Sequence, residues 1–465
     1  MGQKPQSTAD PNNESKKRRR VGFSNIDVGV EAKECIKIFL VSSKEEIGSS
    51  DCCTINPVDL NSFFDDDGKI YGYQGLKITI WISSISFQAF ADITFQGTSD
   101  VGKGITDLRS ALQTIFGETL LESKDEFLQT FSTDNNYIRS TVSKGQILQH
   151  KASNKHISDS NNHSGAAISN VEVVRMIVGD MPTGHLYSRL IPLVLLLVDG
   201  SSPIDVTDPR WELYLVIQKI TYHQGEMHRL IGFTAVYRFY HYPDGSRLRL
   251  SQILILPPYQ HKGYGRYLLE VLNDVSISEN VFDLTVEEPL DHLQHVRSCI
   301  DTLRLLVFEP IQHSISSAVS LLKQGKLSKK AYTIRLLPPP SAVEDVRKSL
   351  KINKKQFLQC WEILIYLGLN PIDKQMEDFV RIVSNRMKYD ILGKDSGTAG
   401  KQLIEVPSDY DQEMSFVMFR AGAGESNTLQ MDENQTNQEE QLQKLVEERV
   451  KEIKLIMEKV SLHCA

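Results

Sequence analysis

The sequence predicts an α/β chain of the α+β kind, in which a central domain with a mixed, mostly antiparallel sheet is flanked by an N-terminal α+β domain and a C-terminal helical region. Three observations lead to this prediction. Strand-like segments between residues 211 and 256 are joined by short turns. An apolar strand runs through a glycine-rich loop into an amphipathic helix, and apolar residues in the last third recur at helical spacing.

The N-terminal part divides into a tail and a domain. Residues 1–30 are polar and contain five consecutive cations at 16–20, which indicates a disordered tail. The basic block is either a nuclear import signal or a solubilising segment. Residues 31–138 contain strand-like segments at 78–85 and 87–95 and a helical pattern near 108–116, so we expect an α+β domain there.

A polar insert precedes the central domain. Residues 139–168 are rich in Ser, Asn, His and Lys, which is typical of a long loop, and the irregular spacing of the histidines favours solvent exposure over metal binding. Residues 169–310 form the central domain. Its expected elements are a buried helix at 186–198 and strands at 171–178, 211–220, 230–240, 248–256 and 281–286.

The C-terminal part is predicted to be helical. Residues 311–430 form a mainly helical domain, in which Phe357, Trp361 and Leu364 lie on one face of a helix that stops near Gly368. Residues 431–465 form a charged amphipathic helix. Its apolar spacing permits either a short coiled coil or docking on the body of the same chain.

Length, charge and cysteine content limit the class of protein. A chain of 465 residues exceeds one hydrophobic core, so two or three domains are expected. The net charge of −7 disfavours direct nucleic-acid binding and suits a basic peptide. Six scattered cysteines show no metal-binding spacing and suit a reducing compartment. We expect no metal and no membrane segment, because the apolar runs are short and the first residues are polar.

The glycine-rich loop is the most informative segment. The apolar strand Ile253–Leu256 is followed by Gly263 and Gly265, and we expect a helix to begin at Arg266. Glycines let the backbone approach a ligand closely, and a helix N-terminus attracts anions. A dinucleotide fingerprint would need a glycine in place of Leu268, and a P-loop would need Gly-Lys-Ser/Thr. The loop therefore predicts a phosphate site, with an ordinary strand-to-helix turn as the alternative.

The same segments resemble a known family. Gln260-x-x-Gly263-x-Gly265 matches the Gln/Arg-x-x-Gly-x-Gly/Ala motif of the GNAT superfamily of N-acetyltransferases. Other segments resemble, in order and approximate spacing, the catalytic subunits of type B histone acetyltransferases, and plant-type members in particular. They are Phe64-Asp65-Asp66-Asp67, residues 72–78, Arg210-Trp211, Val236-Tyr237, Tyr242-Pro243-Asp244, Ser251-Gln252, Glu287-Glu288-Pro289 and Ile352-Asn353-Lys354. The resemblance covers most of residues 31–370.

The resemblance implies an activity and partners. It implies transfer of the acetyl group of acetyl-coenzyme A to tail lysines of newly made, free histone H4, which would be bound together with histone H3. It also implies a WD40 histone-binding subunit as partner and residence in nucleus and cytoplasm. Two alternatives stay open: an acetyltransferase for another protein or a small amine, and a noncatalytic histone-binding chaperone subunit that retains the fold.

A lysine amine needs a base, because its unperturbed pKa of roughly 10.4 keeps it protonated at neutral pH. By resemblance Glu287 is that base, with Glu288 beside it and Asp199 as a second acid at the end of the buried helix. We expect like-charge proximity and partial burial to raise one carboxyl pKa toward neutrality. The alternative is a solvated strand end. Cys299 is disfavoured as a nucleophile, because no histidine motif accompanies it and its neighbours are apolar.

Binding residues also follow from the resemblance. The main chain of Ile253, Leu254 and Ile255 would hold the pantetheine arm, and a backbone N–H there would hold the oxyanion. The pyrophosphate would be surrounded by Gln260, His261, Lys262, Gly263, Tyr264, Gly265 and Arg266. Histone-tail contacts would come from Asp66, Asp67, Tyr237, Arg238 and Phe239, and Trp211 belongs either to the core or to the same surface.

Overall fold

The computed structural model describes residues 29–49, 52–64, 68–100, 104–148, 168–222, 225–243, 245–324, 336–369, 373–392 and 428–464. These residues form two compact units. The first contains the chain up to Tyr137 together with Ser188–Pro203, and the second contains Ile138–Tyr187 and the chain from Ile204 onward. The basic block at 16–20, Asp66, Asp67 and most of the polar insert lie outside the described residues.

The first unit is built around a sheet of order β3-β2-β6-β7-β9. Strand β2 pairs with β6 in parallel and β6 with β7 antiparallel. The strands described here are β1 Val30–Glu31, β2 Ile36–Val41, β3 Cys53–Ile55, β4 Lys69–Ile70, β5 Tyr73–Gln74, β6 Lys77–Ser83, β7 Ala89–Thr94, β8 Gly97–Thr98 and β9 Leu120–Leu121. The helices are α1 Ala32–Cys35, α2 Leu108–Phe116 and α3 Lys124–Thr133, with 3-10 turns at Lys44–Glu46, Asn61–Phe63 and Gly117–Thr119. This unit confirms an N-terminal α+β arrangement.

Helix α3 packs on this sheet through aromatic side chains. Phe127 is fully buried and lies with Phe131 against Val41 and Trp81. The Ser123 side chain caps α3 by accepting a hydrogen bond from the Glu126 N–H at 3.2 Å.

The second unit is built around a six-stranded sheet whose strands follow chain order. The strands are β10 Gln146–Leu148, β11 Ile168–Ile177, β12 Trp211–Tyr222, β13 Gly225–His241, β14 Gly245–Ile255 and β15 Leu284–Val286. Neighbouring strands are antiparallel up to β14, and β15 pairs with β14 in parallel. The mixed, mostly antiparallel sheet predicted from the sequence is therefore confirmed.

Several elements differ from the prediction in their extent. The expected loop at 139–168 begins with helix α4, Tyr137–Val142, and its residues 146–148 form the edge strand β10. A strand of three residues is too short for its alternation to be recognised in a sequence. Strand β15 is half the predicted length. The helix after the glycine-rich loop, α6, is Tyr264–Ser278 and begins two residues earlier than expected, because Gly263 is its N-cap.

Helices cover both faces of this sheet. Helix α5, Met181–Leu197, contributes its first residues to the second unit, where the Tyr187 hydroxyl donates to Gln252 Oε1 at 2.8 Å and accepts from the Ile204 N–H at 3.1 Å. On the opposite face, α6 packs its predicted apolar stripe of Leu268, Val271, Leu272 and Val275 against buried residues of β12, β13 and β14.

The C-terminal helices form a separate apolar cluster within the second unit. They are α7 Asp291–Leu306, α8 Gln312–Gln324, α9 Pro340–Leu350, α10 Lys354–Gly368, α11 Asp373–Leu392 and α12 Thr428–Cys464. Val446, Ile453, Ile456 and Val460 of α12 are buried in this cluster together with residues such as Trp361 of α10. Of the two alternatives, α12 therefore docks on its own chain.

Among the described residues, no single helix is long and apolar enough to cross a bilayer. The bent pair Asp291–Leu306 and Glu309–Gln324, which turns by 83°, satisfies that criterion by length and composition only when taken together.

Candidate active site

The sheet of the second unit opens at its β14–β15 edge. Parallel pairing joins Leu248–Leu250 of β14 to Leu284–Val286 of β15, and one further hydrogen bond runs from the Glu287 N–H to the Leu250 carbonyl at 2.9 Å. Beyond this point β14 continues to Ile255, and none of the described strands pairs with it on that side. A strand edge that lacks its neighbour presents backbone groups to a ligand, so the opening is a candidate binding slot.

Glu287 lies where the pairing ends. The Ser251 hydroxyl donates a hydrogen bond to Glu287 Oε2. Register places Trp211, Tyr237, Arg249 and Thr285 in one row across β12, β13, β14 and β15. Since side chains alternate along a strand, Glu287, two residues after Thr285, extends the same face of the sheet.

The three predicted acids, Glu287, Glu288 and Asp199, are all exposed. Glu287 and Glu288 are both exposed, so the partial burial that we expected for one of them is absent from this structure. The backbone at Glu288 has φ +33°, outside the extended range, so the chain turns away from the strand at this residue. Asp199 is exposed after the end of α5 and belongs to the first unit. The role of each acid stays a prediction.

The glycine-rich loop joins β14 to α6. A 3-10 turn, Pro257–Tyr259, follows the strand, and the Gln260 side-chain amide donates to the Ile255 carbonyl at 2.9 Å. Gly263 has φ +87° and no heavy atom within 4 Å of the position that a Cβ would take. Only glycine adopts this conformation readily, and its missing side chain leaves the first turn of α6 open. The loop therefore fits an anionic group at the positive end of the helix.

The side chains of the loop divide into exposed and occupied groups. Gln260, His261 and Lys262 are exposed, whereas Tyr264 is 2% exposed and packs in the core, so only its backbone can meet a ligand. Arg266 donates from Nε to Glu270 Oε1 at 2.8 Å, one turn along the helix.

Ile253, Leu254 and Ile255 do not all face the same way. Leu254 is buried on one face of the sheet, and the half-buried Ile253 and Ile255 pack with the α6 cluster on the other. Their main chain, as the prediction requires, is the part that follows the open edge of β14. Cofactor binding by these residues stays a prediction.

An aromatic strip runs across β12 and β13. We define it by the half-buried residues Trp211, Tyr237 and Phe239. The rings of Trp211 and Tyr237 lie 4.8 Å apart and those of Tyr237 and Phe239 4.5 Å apart, both in edge-to-face orientation. Trp211 therefore belongs to the same surface as Tyr237 and Phe239 and not to the core.

The strip carries its own cations. The Arg210 guanidinium lies 5.0 Å from the centre of the Tyr237 ring, and the Arg249 guanidinium lies 4.5 Å from that of Phe239. Asp208 accepts hydrogen bonds from Arg210 at 2.8 Å and from the Tyr237 hydroxyl at 3.0 Å. The hydrogen bonds from Arg210 lower the pKa of Asp208 to about 2. The aromatic strip thus has an ionised, ordered rim.

Arg238 is engaged elsewhere. Its guanidinium donates to the buried Glu212 at 2.7 Å and to Glu279 at 2.6 Å, and Arg175 contacts the same two carboxylates. Burial by itself would raise the pKa of Glu212, but the hydrogen bonds from Arg238 and Arg175 outweigh burial and lower it. A histone contact by Arg238 stays a prediction, and it would require the guanidinium to leave this buried network.

Cys299 has a histidine neighbour that the sequence did not indicate. His295 Nε2, one helical turn earlier on α7, lies 3.9 Å from Cys299 Sγ. Burial raises the pKa of the Cys299 thiol and lowers that of His295, so both groups are held neutral. A neutral thiol is a poor nucleophile. Within the described ranges, His, Cys, Asp and Glu side chains form no group of three or more that could hold a metal ion.

Sequence reasoning missed three residues of this site. Asp208 and Arg249 carried no motif, and Ser251 was noted only as part of the family resemblance. Ser251 is the extra residue of a β-bulge, since Ala235 pairs with Gln252 and Val236 with Leu250. A bulge has no reliable sequence signal here, because it depends on how two strands pair.

The geometry can support acyl transfer to an amine. A glycine-rich loop that fits an anionic group, an open strand edge, a carboxylate at the end of that edge and an aromatic surface beside it lie on consecutive elements of one unit. Such a set can supply a site for an anionic cosubstrate, a candidate base and a candidate acceptor surface.

Comparisons with known proteins agree with this geometry. The family model described as Histone acetyl transferase HAT1 N-terminus matches residues 28–199, and the model described as Acetyltransferase (GNAT) family matches residues 201–296. The chain is 59% identical to the histone acetyltransferase type B catalytic subunit of Arabidopsis thaliana, over 99% of this chain and 98% of that protein. The chain is 49% identical to the Zea mays protein with the same description, over 97% of this chain and 94% of that protein. It is 26% identical to the Mus musculus protein with the same description, over 55% of this chain and 59% of that protein.

Proposed function

Because the chain belongs to the family of histone acetyltransferase type B catalytic subunits, we propose that it transfers acetyl from acetyl-coenzyme A to the ε-amine of tail lysines in newly synthesised, free histone H4. Membership confirms the resemblance read from the motifs, and it establishes a histone acetyltransferase with a GNAT domain. The acceptor histone, the base and the partners are the finer steps that we propose here.

One observation carries the proposal. Glu287 lies where β14 and β15 stop pairing, and it shares a sheet face with the aromatic strip. A base for acyl transfer has to stand between the cosubstrate and the acceptor. The open edge of β14 and the glycine-rich loop supply the first of these surfaces, and the aromatic strip supplies the second.

The chain's residues fit acetyl-coenzyme A in charge and shape. GNAT acetyltransferases use this cosubstrate. The first turn of α6, opened by Gly263, suits the pyrophosphate, and the exposed Lys262 adds a positive charge. The main chain of Ile253–Ile255 would align the pantetheine arm along the open edge. When bound, acetyl-coenzyme A supplies an activated acetyl thioester.

In this proposal Glu287 removes the proton that keeps lysine unreactive. The carboxylate takes one proton from the ε-ammonium, and the neutral amine then bonds to the acetyl carbon as the carbon–sulfur bond breaks. The sulfur leaves with the second proton of the nitrogen, so charge and atoms balance. A backbone N–H of Ile253–Ile255 would hold the developing oxyanion. Glu288 and Asp199 are the alternative bases.

A histone H4 tail suits the acceptor surface. The aromatic strip offers apolar faces for lysine stems and glycine backbone, and Asp208 at its rim is ionised and attracts cations. Asp66 and Asp67 would add charge, although both lie outside the described residues. Arg210 and Arg249 limit how many cations the strip accepts at once, which favours a tail with small neutral residues between its lysines.

Two proposals concern the cellular setting. The family resemblance implies a WD40 histone-binding subunit, and we propose such a partner here, with histone H3 accompanying H4. We also propose residence in both cytoplasm and nucleus, to which the basic block at 16–20 would contribute. Copurification of a WD40 subunit with the chain tests the first proposal. The second is tested by the fraction of the protein found in the nucleus when the cations of this block are replaced by neutral residues.

The deciding experiment measures acetyl transfer by the full chain and its Glu287→Gln variant. Purified protein is incubated with acetyl-coenzyme A and free full-length histone H4, and acetylated lysines are located by mass spectrometry. We expect transfer to tail lysines that falls at least about 100-fold in the variant, with acetyl-coenzyme A affinity unchanged in calorimetric titration. The matched control is Glu309→Gln, which removes an exposed carboxylate of the same unit at the 3-10 turn Glu309–Ile311.

Other outcomes point to other assignments. Undiminished transfer by the Glu287 variant would move the base to Glu288 or Asp199. No transfer to H4 by the wild-type chain, despite bound acetyl-coenzyme A, would favour another acceptor. A panel with histone H3, other lysine proteins and small amines would identify it. Binding of histones without any transfer would support the chaperone alternative.

A further inference from the structure

Ser251 occupies a special position at the end of the β14–β15 pairing. It is the residue that the β-bulge adds to β14, so it has no partner in β13. It has none in β15 either, because pairing there stops at Leu250. A bulge changes the direction in which a side chain points, and it is often found where a functional group has to be aimed.

The hydroxyl of Ser251 is aimed at Glu287. It donates to Oε2, while the Glu287 backbone N–H donates to the Leu250 carbonyl at 2.9 Å. Side chain and backbone of Glu287 are therefore tied to consecutive residues of β14. Among the described residues, no hydrogen bond to the second oxygen, Oε1, is present.

We propose that Ser251 is the positioning residue for Glu287, fixing Oε2 so that Oε1 stays available to accept the proton of the incoming amine. This inference rests on the proposed role of Glu287 as base. An exposed glutamate side chain samples many rotamers, and ordering it has an entropic cost. A hydrogen bond to an ionised carboxylate is charge-assisted, so it favours one rotamer.

The bulge explains why a serine can do this at the edge of a regular sheet. In an unbulged strand, residue 251 would pair with a residue of β13, and its side chain would stand perpendicular to the sheet. The extra residue bends β14 where β15 leaves it. The same bulge therefore lies at the open edge of β14 and places the hydroxyl that holds Glu287.

The test compares kcat and KM of histone H4 acetylation for the full chain and four variants, which are Ser251→Ala, Ser251→Thr, Ser251→Cys and Thr285→Val. In Ser251→Ala we expect kcat to fall about tenfold, because the carboxylate loses the donor that holds one rotamer. The KM for acetyl-coenzyme A should not change. Ser251→Thr keeps a hydroxyl and should restore kcat. Ser251→Cys keeps the size with a weak donor and should behave like the alanine variant.

Thr285→Val is the local control. Its hydroxyl donates to the Leu248 carbonyl at 3.2 Å, so its kcat should match that of wild type. A kcat that keeps the wild-type value in Ser251→Ala and Ser251→Cys, or that Ser251→Thr does not restore, overturns the inference. If Glu287→Gln is inactive in that case, the proposed function stands without it. If Glu287→Gln is fully active, the base assignment fails and the inference fails with it.

Discussion

The Glu212 network makes a quantitative prediction about the sheet that supports the site. Glu212 is 5% exposed in its side chain, and it accepts from Arg238 at 2.7 Å, Arg175 at 2.8 Å and the Tyr214 hydroxyl at 2.7 Å. The substitution Glu212→Gln removes the charge and leaves two half-buried guanidinium groups short of a partner. Glu279 still contacts both arginines from the exposed side.

The expected cost follows from burial. Removing one partner of a buried ion pair costs about 3–5 kcal/mol, and Glu279 reduces this to the lower end, about 3 kcal/mol. The control Glu279→Gln removes a carboxylate that is 33% exposed, and such exposed pairs contribute about 1 kcal/mol or less. Urea unfolding of the full chain at pH 7 measures both differences in the free energy of unfolding.

The effect should also depend on pH in a definite direction. Hydrogen bonds lower the pKa of Glu212 below its ordinary value of 4.5 despite burial, so the carboxylate stabilises the folded chain above that pH. This contribution is lost as pH falls through the folded-state pKa, and the gap between wild type and Glu212→Gln should narrow below about pH 4.5. A loss under about 1 kcal/mol at pH 7, or one equal to that of Glu279→Gln, would refute the reasoning.

Two further substitutions test the loop and the C-terminal helix. Gly263→Ala should weaken acetyl-coenzyme A binding about tenfold in calorimetric titration, because an L residue at φ +87° costs roughly 1–2 kcal/mol. The matched control is Gly104→Ala, at φ +82° and also in open space, which should bind acetyl-coenzyme A normally. Ile456→Ala should lower the free energy of unfolding by about 2–5 kcal/mol, because this side chain is fully buried, whereas the 47% exposed neighbour Leu455→Ala should change it by about 0.5 kcal/mol or less. Equal losses in the last pair would contradict the docking of α12.

Local chemistry explains why much of the fold could be predicted. Helix α6 has an apolar stripe of period 3.6 and a glycine before its first turn, and both signals act within a few residues. The long strands β12, β13 and β14 are rich in apolar and aromatic residues and are separated by turns. Strand β10 and helix α4 escaped prediction because they are short and lie beside a polar segment.

The candidate site was predictable only in its linear parts. The glycine-rich loop could be identified because its glycines and the helix that follows them are consecutive in the chain. The residues of the aromatic strip were named only through the family resemblance, because Trp211 and Tyr237 become neighbours only through the register of β12 and β13. Arg238 was expected at the substrate surface, yet it lies on the face where Glu212 is buried, since alternation places it opposite Tyr237.

The sequence by itself determined the fold class, the order of the elements, the glycine-rich loop and the acidic pair, since each is encoded by neighbouring residues. Only the tertiary structure decided that β14 carries a bulge at Ser251, that pairing with β15 ends at Leu250, and that Glu287 is tied to both residues. Strand pairing joins residues far apart in the chain, and its register depends on the summed packing of whole strands. A short segment of sequence therefore does not determine the register of the strands.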